Sequence, residues 1–151
     1  MELKITAIVQ ARMGSTRLPG KVMREINGKP LIEYQLMRLN RSKLFDKIIV
    51  ATGFGEENKI LEDFVKNKGF DVFRGDEEDV LGRYFEAAKF YKSEVIVRLT
   101  GDCPIVDPNL VDAIIKEFLK NDLDYVSNTI EPTYPDGLDI EVFSFDALKI
   151  A

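Results

Sequence analysis

The stretch Gln10–Lys21, QARMGSTRLPGK, decides how the rest of this chain is read. It leaves an apolar, β-branched run, Ile5 to Val9, with the length and composition of a buried strand. Within ten residues it carries three cations (Arg12, Arg17 and Lys21), two glycines (Gly14 and Gly20) and the hydroxyls of Ser15 and Thr16. Loops at the carboxyl ends of parallel strands are where α/β sheets bind ligands. Glycines there let backbone N–H groups approach an anion, and Arg and Lys add positive charge. The stretch reads as a polyphosphate cradle built from Gln10, Ala11, Arg12, Gly14, Ser15, Arg17 and Lys21. A solvated basic loop is the alternative.

Two common phosphate motifs are excluded. A Walker A loop has four residues between its first Gly and a Gly-Lys pair, then Ser or Thr. Here five residues separate Gly14 from Gly20, and Val22 follows Lys21. The dinucleotide fingerprint G-x-G-x-x-G is also absent.

The cradle stands out because the chain around it is acidic. Net charge is −5 over 151 residues, which argues against nucleic acid or an anionic membrane surface as the main partner. With 45% hydrophobic and 31% charged residues, residues 1–151 read as a single globular domain. There is no histidine, so Ser-His-Asp chemistry and His-ligated zinc are ruled out, and any metal must take oxygen ligands, favouring Mg²⁺ or Mn²⁺. The lone Cys103 cannot form an intrachain disulfide and reads as a packing residue in a reducing compartment. No apolar run approaches the ~18 residues of a membrane span, and no signal-peptide pattern opens the chain. The expected location is cytoplasmic.

Periodicity predicts strands at 4–9, 46–51, 70–73, 94–99, 124–127 and 138–143. It predicts helices from Pro30 to about Arg41, Glu56 to Asn67, Asp79 to Tyr91, Pro108 to Lys120, and a short one after Ser144. Leu31, Tyr34, Leu36 or Met37, and Leu39 are candidates for the buried stripe of the first helix. Val80, Tyr84, Ala87 or Ala88, and Tyr91 play that part in the third. Strands alternating with helices imply an α/β, three-layer αβα fold with a mostly parallel sheet. The last helix has little length to pack with, so the chain is read as shorter than the fold it belongs to.

Two further constellations carry chemistry. In RLTGDCP, Arg98 to Pro104, Asp102 follows a core strand and a glycine, which projects its carboxylate into the crevice at the sheet edge. There it is a good Mg²⁺ ligand; the alternative is a turn-capping Asp. In PDGLDIEVF, Pro135 to Phe143, Asp139 and Glu141 fall on one face of a period-2 strand. If that face lines the crevice they bind substrate hydroxyls or metal-bound water, and if it meets solvent they are ordinary edge-strand charges.

The segments IVQARMGSTRLPGKVM, RGDEEDVLGRYFEAAK, VRLTGDCPIVDP and YPDGLDIEVFSFDAL together resemble the spore coat polysaccharide biosynthesis branch of the cytidylyltransferases, itself similar to the CMP-Kdo and CMP-acylneuraminate synthetases. The resemblance covers nearly the whole chain, in order. It implies a nucleotide-diphospho-sugar transferase (GT-A-like) fold, incomplete at its C-terminus, and transfer of a cytidylyl group from CTP to a small sugar acceptor. By motif, Arg12, Ser15, Arg17 and Lys21 would hold the CTP phosphates and Asp102 would hold Mg²⁺, with Arg12, Lys21 and Asp102 carrying catalysis. The loop around Arg74, Gly75, Asp79 and Arg83 would sit by the cytosine. The family's second metal-binding Asp, part of its sugar pocket and much of its dimer contact have no counterpart in residues 1–151. A homodimer is compatible with the family pattern, and the chain itself leaves the oligomeric state open. Two other readings compete: a glycosyltransferase on the same fold, which commonly has Asp-x-Asp where this chain has GDCP, and a non-catalytic nucleotide-binding fragment that needs a partner.

Overall fold

The computed structural model describes residues 2–151. β1 (Ile5–Gln10) is the central strand, and the cradle follows it to a single 3₁₀ turn at Lys21–Met23. β2 (Glu25–Ile26) and β3 (Lys29–Pro30) form a small hairpin, followed by α1 (Leu31–Leu39), β4 (Lys47–Gly53) and α2 (Lys59–Asn67). Then come β5 (Asp71–Gly75), α3 (Val80–Tyr91), β6 (Val95–Thr100), α4 (Pro108–Lys120), β7 (Tyr125–Ser127), β8 (Glu141–Ser144) and α5 (Phe145–Ile150).

The main sheet has the order β5-β4-β1-β6-β8-β7. β5, β4, β1 and β6 run parallel, and β8 turns antiparallel against β6 and β7. From β1 the chain steps outward through β4 to β5, then returns to the other side of β1 for β6. The carboxyl ends of β1 and β6 therefore flank the point where strand order reverses, which is where open α/β sheets leave a crevice.

Strand alternation sends side chains to two apolar layers. On one face Ala7, Val9, Val50, Val97 and Leu99 pack against Ile32 and Leu36 of α1, Leu61 and Val65 of α2, and Val111 and Ile115 of α4. On the other, Ile8, Ala51, Ile96 and Phe143 pack against Tyr84, Ala87 and Ala88 of α3 and Leu148 of α5. The three-layer arrangement is as expected from the sequence.

Several local expectations are corrected. Asn27 and Gly28 both take positive φ (51° and 79°), the backbone of a tight two-residue hairpin turn. Pro30 consequently ends β3 and flanks α1 instead of opening it. The buried stripe of α1 is Ile32, Leu36 and Leu39; Met37 is exposed, and Leu31 and Tyr34 are only half-buried. The helix expected from Glu56 begins as a 3₁₀ turn, Glu56–Asn58, and the Asn58 side chain bonds into the site described below instead of capping α2. Arg74 and Gly75 belong to β5, not to the loop after it. The last strand starts at Glu141, not at Leu138, because the Asn128 amide takes the backbone partners there: it donates to Leu138 O and accepts from Ile140 N. Asp139 thus lies outside the strand, exposed, and does not share a strand face with Glu141.

Candidate active site

A cleft of about 340 Å³ opens at the carboxyl ends of β1 and β6, lined by Gln10, Ala11, Arg12, Ser15, Arg17, Lys21, Thr100 and Asp102 among others. The cradle and the GDCP turn thus meet in one place. Gly20 closes the loop: its φ of +68° suits glycine, and its N–H donates to Met13 O at 2.9 Å. Gly101 sets the distance between the two segments. Its N–H donates to Gln10 O at 2.6 Å, and a Cβ there would lie 2.7 Å from Ala11 Cβ and 2.8 Å from Gln10 O. The close approach delivers the next residue, Asp102, to the cradle.

Lys21 Nζ donates to Asp102 Oδ2 at 3.0 Å. Partial burial pushes the Asp102 carboxyl up, but hydrogen bonds from Lys21 and Thr100 outweigh it and hold the group below its ordinary value. Asp102 is therefore an anion at neutral pH, with its side chain 47% exposed to the cleft. One ionised, accessible carboxylate meeting a cationic loop is a hard oxygen donor of the kind a divalent cation takes. Cys103 behaves as a packing residue: burial raises its thiol, as do the Asp102 and Asp139 carboxylates, against an opposing contact from Thr100. Arg17 is exposed at the rim, and Ser15 Oγ accepts from Leu18 N at 3.4 Å, so Ser15 also braces the loop.

The loop after β5 is joined to the cradle by residues not singled out from sequence. Asn58, fully buried, accepts from Met13 N at 2.8 Å and donates to Glu77 Oε2 at 3.0 Å. The other Glu77 oxygen lies 3.7 Å from Arg12 Nη1. Glu77 was visible inside RGDEEDVLGR, but nothing distinguished it from its acidic neighbours. Asn58 gave no signal at all.

The residues assigned to the cytosine by resemblance hold the shape of this loop and of the one after β4. Arg74 donates to the carbonyls of Gly53, Phe54 and Gly55 and pairs with Glu62. Asp79 caps α3 by accepting from Gly82 N at 2.8 Å. Arg83, 1% exposed, donates to the carbonyls of Asp76 and Glu77, and Gly75 leaves room for it: a Cβ there would sit 3.0 Å from Arg83 Cγ.

Away from the cleft, Glu141 pairs with Arg98 and accepts from the Tyr125 hydroxyl at 2.6 Å. The Arg98 guanidinium also lies over the Tyr84 ring, 5.3 Å from its centroid. Asp139 is exposed, and its charge helps to raise the Cys103 thiol.

A sheet with its switch point between β1 and β6, a cationic loop after one strand and an accessible carboxylate after the other, defines an open α/β protein with a ligand crevice at its strand ends. Residues 6–151 match the family model described as cytidylyltransferase, and the chain belongs to that family. It is 45% identical over 99% of its length to the uncharacterized protein MJ1063 of Methanocaldococcus jannaschii, of which it covers 60%. It is 43% identical to the spore coat polysaccharide biosynthesis protein SpsF of Bacillus subtilis, over 80% of this chain and 52% of that protein. A solved cytidylyltransferase from Leptospira borgpetersenii superposes with a TM-score of 0.95 at 37% identity, covering 99% of this chain and 63% of that one. The chain thus spans between half and two thirds of the length of these relatives. Among the described residues, no helix is long and apolar enough to cross a membrane.

Proposed function

We propose that this chain carries the nucleotide half of a cytidylyltransferase that moves a cytidylyl group from CTP to a sugar hydroxyl, releasing pyrophosphate, in surface polysaccharide or glycoconjugate synthesis. The observation that supports this most directly is the meeting of Lys21 and Asp102, from the segments that follow β1 and β6, in one cleft of about 340 Å³. Family membership and the relation to a spore coat polysaccharide protein support the nucleotide and the pathway class.

In such a transfer the sugar oxygen attacks the α-phosphorus in line while pyrophosphate leaves, so the protein's work is positioning and charge neutralisation. Arg12 and Lys21 suit the leaving pyrophosphate, with Arg17 and the backbone around Gly14 on its outer oxygens. Asp102 would hold Mg²⁺, which when bound withdraws charge from the phosphate oxygens. By the family resemblance, the loop around Arg74, Gly75, Asp79 and Arg83 would lie by the base, and the exposed Asp139 carboxylate is free to take a hydroxyl of the acceptor sugar. Glu141 is already engaged by Arg98 and Tyr125, so we assign it to shaping that region.

The test is titration of CTP into the chain with and without Mg²⁺, followed by pyrophosphate release with a panel of sugars. Mg²⁺-dependent binding of CTP is the expected result. A chain that binds no nucleotide under either condition would overturn the proposal.

A further inference from the structure

Resting on that reading, we infer that Glu77, held by Asn58, is a positioning residue that presets the Arg12 guanidinium for the phosphates of the nucleotide. Arg12 lines the cleft beside Ser15, Arg17 and Lys21, and its ion-pair partner is Glu77, which reaches across from the loop after β5. The acidic neighbours of Glu77 do not make this crossing. Asp76 accepts from the backbone of Glu78 and Asp79, Asp79 caps α3, and Glu78 is exposed.

The placement of Glu77 is fixed from behind. The buried Arg83 guanidinium holds the main-chain carbonyls of Asp76 and Glu77. The fully buried Asn58 amide donates to Glu77 Oε2 at 3.0 Å, and its oxygen accepts from Met13 N at 2.8 Å. Met13 follows Arg12, so one side chain sets both the carboxylate and the backbone next to the arginine it faces. Gly53 leaves the space the carboxylate fills: a Cβ there would lie 1.4 Å from Glu77 Oε2. The other oxygen, Oε1, stands 3.7 Å from Arg12 Nη1, which is attraction without a hydrogen bond. A guanidinium has five donors, so it can be steered at one edge and keep the others for phosphate oxygens. By charge alone this carboxylate repels a polyanion. What it supplies is an arginine whose rotamer freedom is already restricted before the phosphates arrive, and binding then costs less order.

The discriminating experiment is a double-mutant cycle read by isothermal titration of CTP and of inorganic pyrophosphate, in Mg²⁺. The proteins are the unaltered chain, Glu77→Gln, Arg12→Ala, the double variant, and Glu78→Gln as a control for charge. Glu77→Gln keeps an acceptor for Asn58 and turns amide hydrogens toward Arg12. Losing an acid near the cleft should by charge alone leave a polyanion unaffected or bind it more tightly, and Glu78→Gln should do so. Glu77→Gln should instead weaken both ligands by about three- to fivefold, and that loss should disappear in the Arg12→Ala background. Unchanged or tighter binding in Glu77→Gln would mean that Glu77 only competes for Arg12, and overturns the inference. A loss of equal size with and without Arg12, the mark of a merely structural role, overturns it too, as does a loss confined to CTP. A chain that binds neither ligand is a different outcome, and overturns the transferase reading beneath it.

Discussion

Lys21 Nζ and Asp102 Oδ2 stand 3.0 Å apart although 81 positions separate them in sequence, and the pair joins the two strand ends that flank the switch point. In this pair each group occupies the other. A phosphate needs the ammonium and a divalent cation needs the carboxylate, so ligand and metal should each release the partner the other requires. With metal chelated, Asp102→Asn should bind CTP several-fold more tightly than the unaltered chain, because Lys21 is freed. In Mg²⁺ that advantage should vanish. Lys21→Ala should weaken CTP under both conditions, and pyrophosphate release should fall by roughly 10²-fold or more in either variant. Titration in chelator and in Mg²⁺, set beside a turnover assay, reads all of this.

Gly101 is required by space. Its φ is not in the left-handed region, yet a Cβ would sit 2.8 Å from the Gln10 carbonyl, and backbone cannot yield as a side-chain tip can. Gly101→Ala should cost about 1–3 kcal/mol, lowering Tm by several degrees for a chain of this size. It should also push Asp102 off Lys21 and weaken Mg²⁺-dependent CTP binding. A Gly137→Ala control is strained by its positive φ of 95° but has open space around it, and should leave nucleotide binding intact.

Glu62 ties α2 to Arg74 of β5. It accepts from Lys66 at 2.6 Å and from Arg74 at 3.0 Å. The Lys66 hydrogen bond holds its carboxyl below the ordinary glutamate value, with burial opposing and the Lys66, Lys59 and Arg74 charges assisting. A carboxyl depressed by folding stabilises the fold above its unfolded value and loses that contribution as pH falls through the folded one. Glu62→Gln should therefore destabilise the chain at neutral pH by about 1 kcal/mol, the low end for charged pairs because Lys66 reaches solvent. The gap between variant and parent should close as pH drops below 4.5. Denaturant melts across that range measure it.

Much of this architecture is readable in the chain because its signals are local and periodic. The β-branched runs at Ile5, Ile48 and Val95 alternate two ways and are buried on both faces, as strands between helix layers must be. The cradle was legible because three cations and two glycines crowd ten residues of an acidic chain. Asp102 was legible from its place after a strand and a glycine. What stayed hidden depends on contacts between distant segments. Asn58 looks like any polar residue at a helix start until Met13 and Glu77 arrive at its amide. Asn128 interrupts a strand pattern that alternation alone extends to Leu138. The Asn27-Gly28 pair was a hairpin signal in plain view, overshadowed by the proline that follows.

Asp139 and Glu141, paired in the sequence pattern, should separate cleanly by experiment. Glu141 is bound by Arg98 and the Tyr125 hydroxyl, so Glu141→Gln leaves a half-buried guanidinium without its counter-charge. Breaking such a pair costs less here than in a dry core because about a third of the Arg98 side chain meets solvent. A loss of about 1–2 kcal/mol, and a Tm lower by a few degrees, is expected. Tyr125→Phe should show a smaller loss in the same direction. Asp139 is exposed and outside the strand, so Asp139→Asn should leave Tm unchanged. If Asp139 orders the acceptor, its variant instead raises KM for the sugar with CTP binding intact. A lower Tm in Asp139→Asn, or an unchanged one in Glu141→Gln, would reverse the two assignments.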